Sequence, residues 1–210
     1  MRRKFGLFCI LLGITLIFGA AWLFMKNQQE DISAGDSSAE VLPSLIHQIR
    51  ESVGTTTSAL DNVPELQKPV HLLTEEEKMM TEVVIKGVPY IGYLSIPKLN
   101  LELPIISNWT YKLLNVAPCR YAGTVKGEDL VLMAHNYSSH FGKLSQLELG
   151  DSVSFTDMDG ELTLYEVVGK DVLDPTAVEE MISGDYDLTL FTCTYGGEFR
   201  VTIYYDKVDA

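Results

Sequence analysis

Phe5 to Met25 is an unbroken run of 21 uncharged residues, and no other stretch restricts the fold of the chain as strongly. As a helix rising about 1.5 Å per residue it extends roughly 30 Å, the thickness of the hydrocarbon core of a bilayer. Arg2, Arg3 and Lys4 precede it and Lys26 closes it. A cleaved secretory leader would have a shorter apolar region and a small-x-small site, whereas Phe18-Gly19-Ala20 puts a bulky side chain where a small one is needed. The expectation is an uncleaved signal anchor. Residues 1–26 form a cytoplasmic tip and a single transmembrane helix in the cell membrane, and the basic flank puts everything from residue 27 onward outside.

The anchor holds four of the 16 Lys and Arg and none of the 29 Asp and Glu, so the remainder carries 12 basic against 29 acidic side chains, a formal charge of −17. Such a surface excludes nucleic acid as a partner held by bulk charge, and anionic lipid heads likewise. Residues 27–87 read as an extracellular stalk. Val41, Leu42, Leu45, Ile46 and Ile49 share a helical stripe, which predicts a short amphipathic helix despite Pro43 near its start. Thr74 and Glu77 make a capping box, and a second helix is expected from Glu75 to Lys86, ended by Gly87. His47 and His71, with no polar constellation around them, read as ordinary surface residues.

From residue 88 to 210 the period changes to two. Tyr90 to Ile96, Leu99 to Ile105, Leu130 to Ala134, Ser152 to Thr156, Glu161 to Val168, Leu188 to Cys193 and Arg200 to Tyr205 read as strands. Met158-Asp159-Gly160 supplies a hairpin turn, and short helices fit around 111–115, 141–147 and 178–182. Seven or eight short strands in this length imply an all-β sandwich or barrel. No internal repeat, phosphate-binding Gly-rich loop or CxxC pair accompanies them.

Chemistry must therefore come from isolated residues. Cys193 ends one apolar strand, His135 follows another, and Arg200 begins the last; a tight turn between antiparallel neighbours brings Cys193 and Arg200 together if both point to the same face. A thiol beside cationic groups is stabilised as thiolate, an imidazole moves protons near neutral pH, and a guanidinium donates to a developing oxyanion. This trio suits acyl transfer and needs no metal or cofactor. Other readings stay open on spacing alone: a buried structural Cys193, a Cys119–Cys193 disulfide, or zinc held by His135, His140, Cys119 and Cys193, although His-x4-His lacks a close Cys pair. The alternative in function is a non-catalytic membrane-tethered β domain that binds a surface partner.

The same residues closely resemble the sortase family, the membrane-anchored cysteine transpeptidases of Gram-positive bacteria. TLFTC at Thr189–Cys193 matches the family's TLxTC signature, and FRVTIYY from Phe199 its Arg-bearing strand. YIGYLSIPKLNLELPI from Tyr90, LVLMAHN from Leu130 and FGKLSQLELGD from Phe141 resemble the barrel entry, the strand leading to the catalytic His and the segment after it. Ala134 replaces the Gly often found before that His, and the Cys-to-Arg loop is short.

The resemblance implies a closed sortase-type β-barrel of about eight strands over residues 88–210, with short helices, behind the anchor and a partly helical stalk. It implies Cys193 as nucleophile, His135 as general acid/base, Arg200 as oxyanion or substrate stabiliser and Thr192 as oxyanion support, with His140 the weaker histidine. The implied substrate is an LPxTG-like C-terminal sorting signal of an exported protein, cleaved through a thioacyl intermediate. Acceptors would be an amine of a peptidoglycan precursor or a pilin lysine. Residues 172–187 would shape the substrate groove; their acidic side chains admit calcium as a cofactor, but follow no recognised loop pattern. The L,D-transpeptidases, which place Arg two residues after Cys, fit less well, because Thr194-Tyr195 follows Cys193.

Overall fold

A computed structural model of the chain describes residues 2–57, 79–183 and 185–208. The elements are α1 (Arg2–Thr57), β1 (Val83–Ile85), β2 (Val88–Ile96), β3 (Leu101–Ile106), α2 (Tyr111–Leu114), β4 (Cys119–Ala122), β5 (Leu130–Met133), β6 (Ser152–Asp157), β7 (Leu162–Leu173), α3 (Val178–Met181), β8 (Leu188–Cys193) and β9 (Arg200–Lys207). The order around the sheet is β1-β2-β3-β4-β5-β8-β9-β7-β6, and β6 pairs back onto β2. Eight strands thus close into a barrel, the architecture expected from the resemblance, with β1 beside the first residues of β2.

Closure depends on a glycine. β2 pairs with β3 on one side, shifts register between Tyr90 and Gly92, and from Gly92 to Ser95 also pairs with β6. Gly92 has φ +146°, and a Cβ there would lie 2.2 Å from the Thr156 carbonyl oxygen. Only a residue without a side chain lets the two backbones approach so closely at the bend.

Alternation along the strands separates an inside from an outside. Leu94, Ile105, Leu132, Phe155, Val167, Leu190 and Ile203 fill the barrel. On the outer wall, Val131, Phe191 and Leu173 pack beneath Met181 of α3. A further outer cluster, with Ile85, Tyr90, Ile106, Leu114 and Cys119, is covered by Val41, Leu45 and Ile49 of α1.

The segment before the barrel differs from the expectation. The short amphipathic helix is part of one continuous helix that includes Pro43, and its 34–38–41–45–49 stripe is buried against the barrel. Docking along about four turns outweighs the poor helix propensity of its Ser, Asp, Gly and Pro residues, as tertiary packing commonly does. Between residues 10 and 54 the helix is long and apolar enough to cross a membrane; its most apolar stretch is uncovered, with Ile17 and Phe18 about 70% exposed. The helix expected over 75–86 is corrected where it can be seen: Val83–Ile85 is a strand paired with Val88–Tyr90. Three β-branched residues favour that state, and Lys86 and Gly87, both at positive φ, make the two-residue turn. The capping box at 74–77 and His71 lie outside the described residues. The segment around 141–147 forms only a single 3-10 turn, Leu144–Gln146.

Candidate active site

Strand register brings the three candidate residues together. In the antiparallel β8–β9 pair, Cys193 lies directly opposite Arg200, so both side chains emerge on one face. Phe191, two residues before Cys193, belongs to the outer cluster, and the period of two therefore puts Cys193 and Arg200 on the outer wall. β5 runs parallel beside β8 with Met133 opposite Phe191. Two residues farther, His135 comes level with Cys193 on the neighbouring strand.

Two side chains hold that juxtaposition. The Thr192 hydroxyl donates to the Ala134 carbonyl at 2.8 Å, tying the residue before Cys193 to the residue before His135. The Asn136 amide donates to the Thr194 carbonyl at 3.3 Å, tying the residues that follow them. Thr192 is buried and its single hydroxyl proton is committed to this staple. Asn136 escaped the sequence reading because an Asn after a strand carries no pattern of its own.

The loop from Cys193 to Arg200 is tight. Thr194 N–H donates to Phe199 O, Gly197 N–H to Thr194 O, and Phe199 N–H to the Thr194 hydroxyl. The Arg200 guanidinium donates to Gly197 O and Phe199 O, both at 3.1 Å. Those carbonyls fix the guanidinium at the mouth of the site. Asp174, on the segment leading to α3, feels its positive charge. Hydrogen bonds from the Thr176 hydroxyl and N–H are the larger causes holding the Asp174 carboxyl below its ordinary value.

The N-terminal helix forms the opposite wall. Asp31 accepts from the N–H groups of Ser138 and Ser139 at 3.1 and 3.0 Å and from both hydroxyls. The helix passes so close there that a Cβ on Gly35 would come within 2.9 Å of Ser139 Cβ. His135 stacks obliquely on Tyr137, with ring centroids 4.9 Å apart. Burial pushes its pKa down, and the negative charge of Glu30 on α1 partly opposes this.

His140 and Cys119 belong elsewhere. His140 is fully buried beneath α1, its Nε2 3.2 Å from the Ser38 hydroxyl, and burial depresses its pKa to about 4. Cys119 is a free, buried thiol on β4 that donates to Ala117 O, and burial raises its pKa to about 12. β5 stands between β4 and β8, so the Cys119–Cys193 disulfide is not formed and both thiols are free. Among the described residues, no three His, Cys, Asp or Glu are grouped to hold a metal ion. In the acidic 172–187 segment, Asp174 bonds to Thr176 and Asp187 accepts from Lys207 N–H.

The barrel carries Cys193, His135 and Arg200 at neighbouring strand ends on one outer wall. The family model for the sortase domain matches residues 94–208, and the chain belongs to the sortase family. Sortase A of Bacillus anthracis is 33% identical over 109 residues, 49% of this chain and 51% of that protein; the chain thus matches about half the length of this relative. Among solved structures, sortase C1 of Streptococcus agalactiae superposes with a TM-score of 0.55 at 20% identity, over 89% of this chain and 97% of that one. Sortase C of Clostridium perfringens with the C-terminal cell wall sorting motif gives 0.53 at 26% identity, covering 81% and 91%.

Proposed function

We propose that the chain is a membrane-anchored cysteine transpeptidase that cleaves an LPxTG-like C-terminal sorting signal and joins the exported protein to an amine of a cell-wall precursor or a pilin lysine. The observation that supports this most directly is the pair of hydrogen bonds flanking His135 and Cys193, which fixes a proton carrier beside a thiol while Arg200 stands opposite the same thiol. The family assignment and the structure of the Clostridium perfringens sortase C with a sorting motif agree with it.

In this reading the Cys193 thiolate attacks the scissile carbonyl, and Arg200 donates to the oxyanion as it develops. His135 protonates the leaving amine and afterwards takes a proton from the incoming one. Thr192 supports the oxyanion region as a positioning residue, through the strand it fixes. Residues 1–26 form the cytoplasmic tip and anchor, 27–87 the extracellular stalk, and 88–210 the catalytic domain outside the cell.

The test is the intact mass of the full chain in detergent after incubation with LPxTG-like and NPxTG-like peptides, with and without an amine. A thioacyl adduct on Cys193 that gives way to amide product is the expected result. Absence of the adduct, with a Cys193 that also resists alkylation in the folded state, would overturn the reading in favour of a binding domain.

A further inference from the structure

Along the outer wall the order is α1, His135, Cys193, Arg200, and the two flanks of the histidine differ. Toward Arg200 lie the thiol and the guanidinium, one antiparallel rung apart, between which the proposed reading seats the scissile carbonyl of the sorting signal. Toward α1 a cavity of about 730 Å³ opens, lined among others by Lys26, Glu30 and Ser33 of the helix, Asn115 beside α2, and His135 and Tyr137. Polar side chains border it, and the carboxylate among them acts on both rings: the charge of Glu30 reaches His135 and Tyr137. A primary ammonium already sits near that carboxylate, for Lys26 Nζ is 3.7 Å from Glu30 Oε1, both side chains remaining exposed.

We propose that this cavity is the entry site of the acceptor, a primary amine that arrives as its ammonium, with Glu30 as counter-charge and His135 as the group that takes its proton. This rests on the transpeptidase reading above. A second reactant has to reach the thioester while the first still occupies the Arg200 side, and the α1 side of His135 is the flank left to it. His135 enters this half-reaction neutral, having given its proton to the first leaving amine. The ammonium passes one proton to His135, and the freed nitrogen lone pair forms the C–N bond. The C–S bond breaks with its electron pair going to the Cys193 sulfur, and the nitrogen loses a second proton to water. The balance is an amide, a thiolate–imidazolium pair and one released proton.

The experiment preloads the full chain in detergent with sorting peptide and measures amide against hydrolysis product over a range of triglycine concentrations, then repeats this with hydroxylamine, a nucleophile uncharged at neutral pH. Glu30→Gln is expected to raise the triglycine concentration for half-maximal amide formation about 3- to 5-fold, the scale of an exposed ion pair. The shift should shrink as salt is added, and hydroxylamine should show none. Glu40→Gln, on the same helix where Glu40 pairs with Lys86, serves as the control and should leave both curves in place. Unchanged triglycine dependence in Glu30→Gln, or equal shifts for the charged and uncharged nucleophiles, would overturn the acceptor site alone. Absence of any thioacyl species in the unmutated chain would overturn the transpeptidase reading and the acceptor site with it.

Discussion

The molecule contains two Cys–His regions, and they differ in almost every physical respect. Under α1, Cys119 and His140 are both fully buried; burial drives one pKa up to about 12 and the other down to about 4, so both are held neutral. On the outer wall, Cys193 and His135 are half-buried at strand ends, and Arg200 faces the thiol across one antiparallel rung. The contrast teaches that residue type does not make a site here. What separates the pairs is access to water together with a fixed cation, since a thiol without either stays an apolar filler.

The sharpest way to break the comparison is to remove each sulfur in turn. Cys193→Ala should lower turnover by about 10⁴-fold or more, because no other group can form the thioacyl bond. Cys119→Ala should keep activity within about twofold while costing about 1–2 kcal/mol of stability for the small cavity left in the core. Peptide cleavage assays and urea midpoints on both variants read these effects. Activity persisting in Cys193→Ala would show that the wall region is not the reacting one. Next in size, Arg200→Lys should cost about 10²-fold in kcat/KM, because an ammonium cannot reproduce the planar fork that the Gly197 and Phe199 carbonyls orient. A loss confined to KM, with kcat intact, would recast Arg200 as a substrate-binding group only.

Much of this contrast could be read from the sequence, for stated reasons. Cys193, His135 and Arg200 sit at the ends of strands that read as apolar or β-rich runs; β8 has the bounds expected for it, and β9 runs two residues farther, to Lys207. Short strands with little pairing were not readable: β4 meets β3 through the single pair Ile106–Cys119 and is bulged against β5, so its four residues carry no clear period. β1 was hidden in a helical pattern that its hairpin partner overrides. The contribution of α1 was invisible because Asp31 meets Ser138 and Ser139 across more than a hundred residues, and nothing local in either segment announces the other. Of the stripe that docks, Val41, Leu45 and Ile49 were apolar enough to notice, while Ala34 and Ser38 were not.

The smallest effect concerns the buried pair and is a matter of pH. His140 is neutral in the fold with its pKa lowered to about 4, whereas in the unfolded chain it titrates near 6.5. Below about pH 6.5 the unfolded chain therefore binds a proton that the folded one refuses, and stability falls until the folded value is reached. Between pH 7.5 and pH 5 this one group should remove about 2 kcal/mol. His135 is also lowered by burial, Asp157 is raised by it, and Asp31 lies close to His140, so the whole chain's pH slope is not His140's alone. The difference between the chain and His140→Gln isolates it, because glutamine can still bond to the Ser38 hydroxyl but cannot titrate. Urea midpoints at the two pH values should converge in His140→Gln relative to the unmutated chain. An unchanged slope would mean that water reaches His140 through a loosened α1, and the region beneath the helix would then be as open to solvent as the wall that carries Cys193.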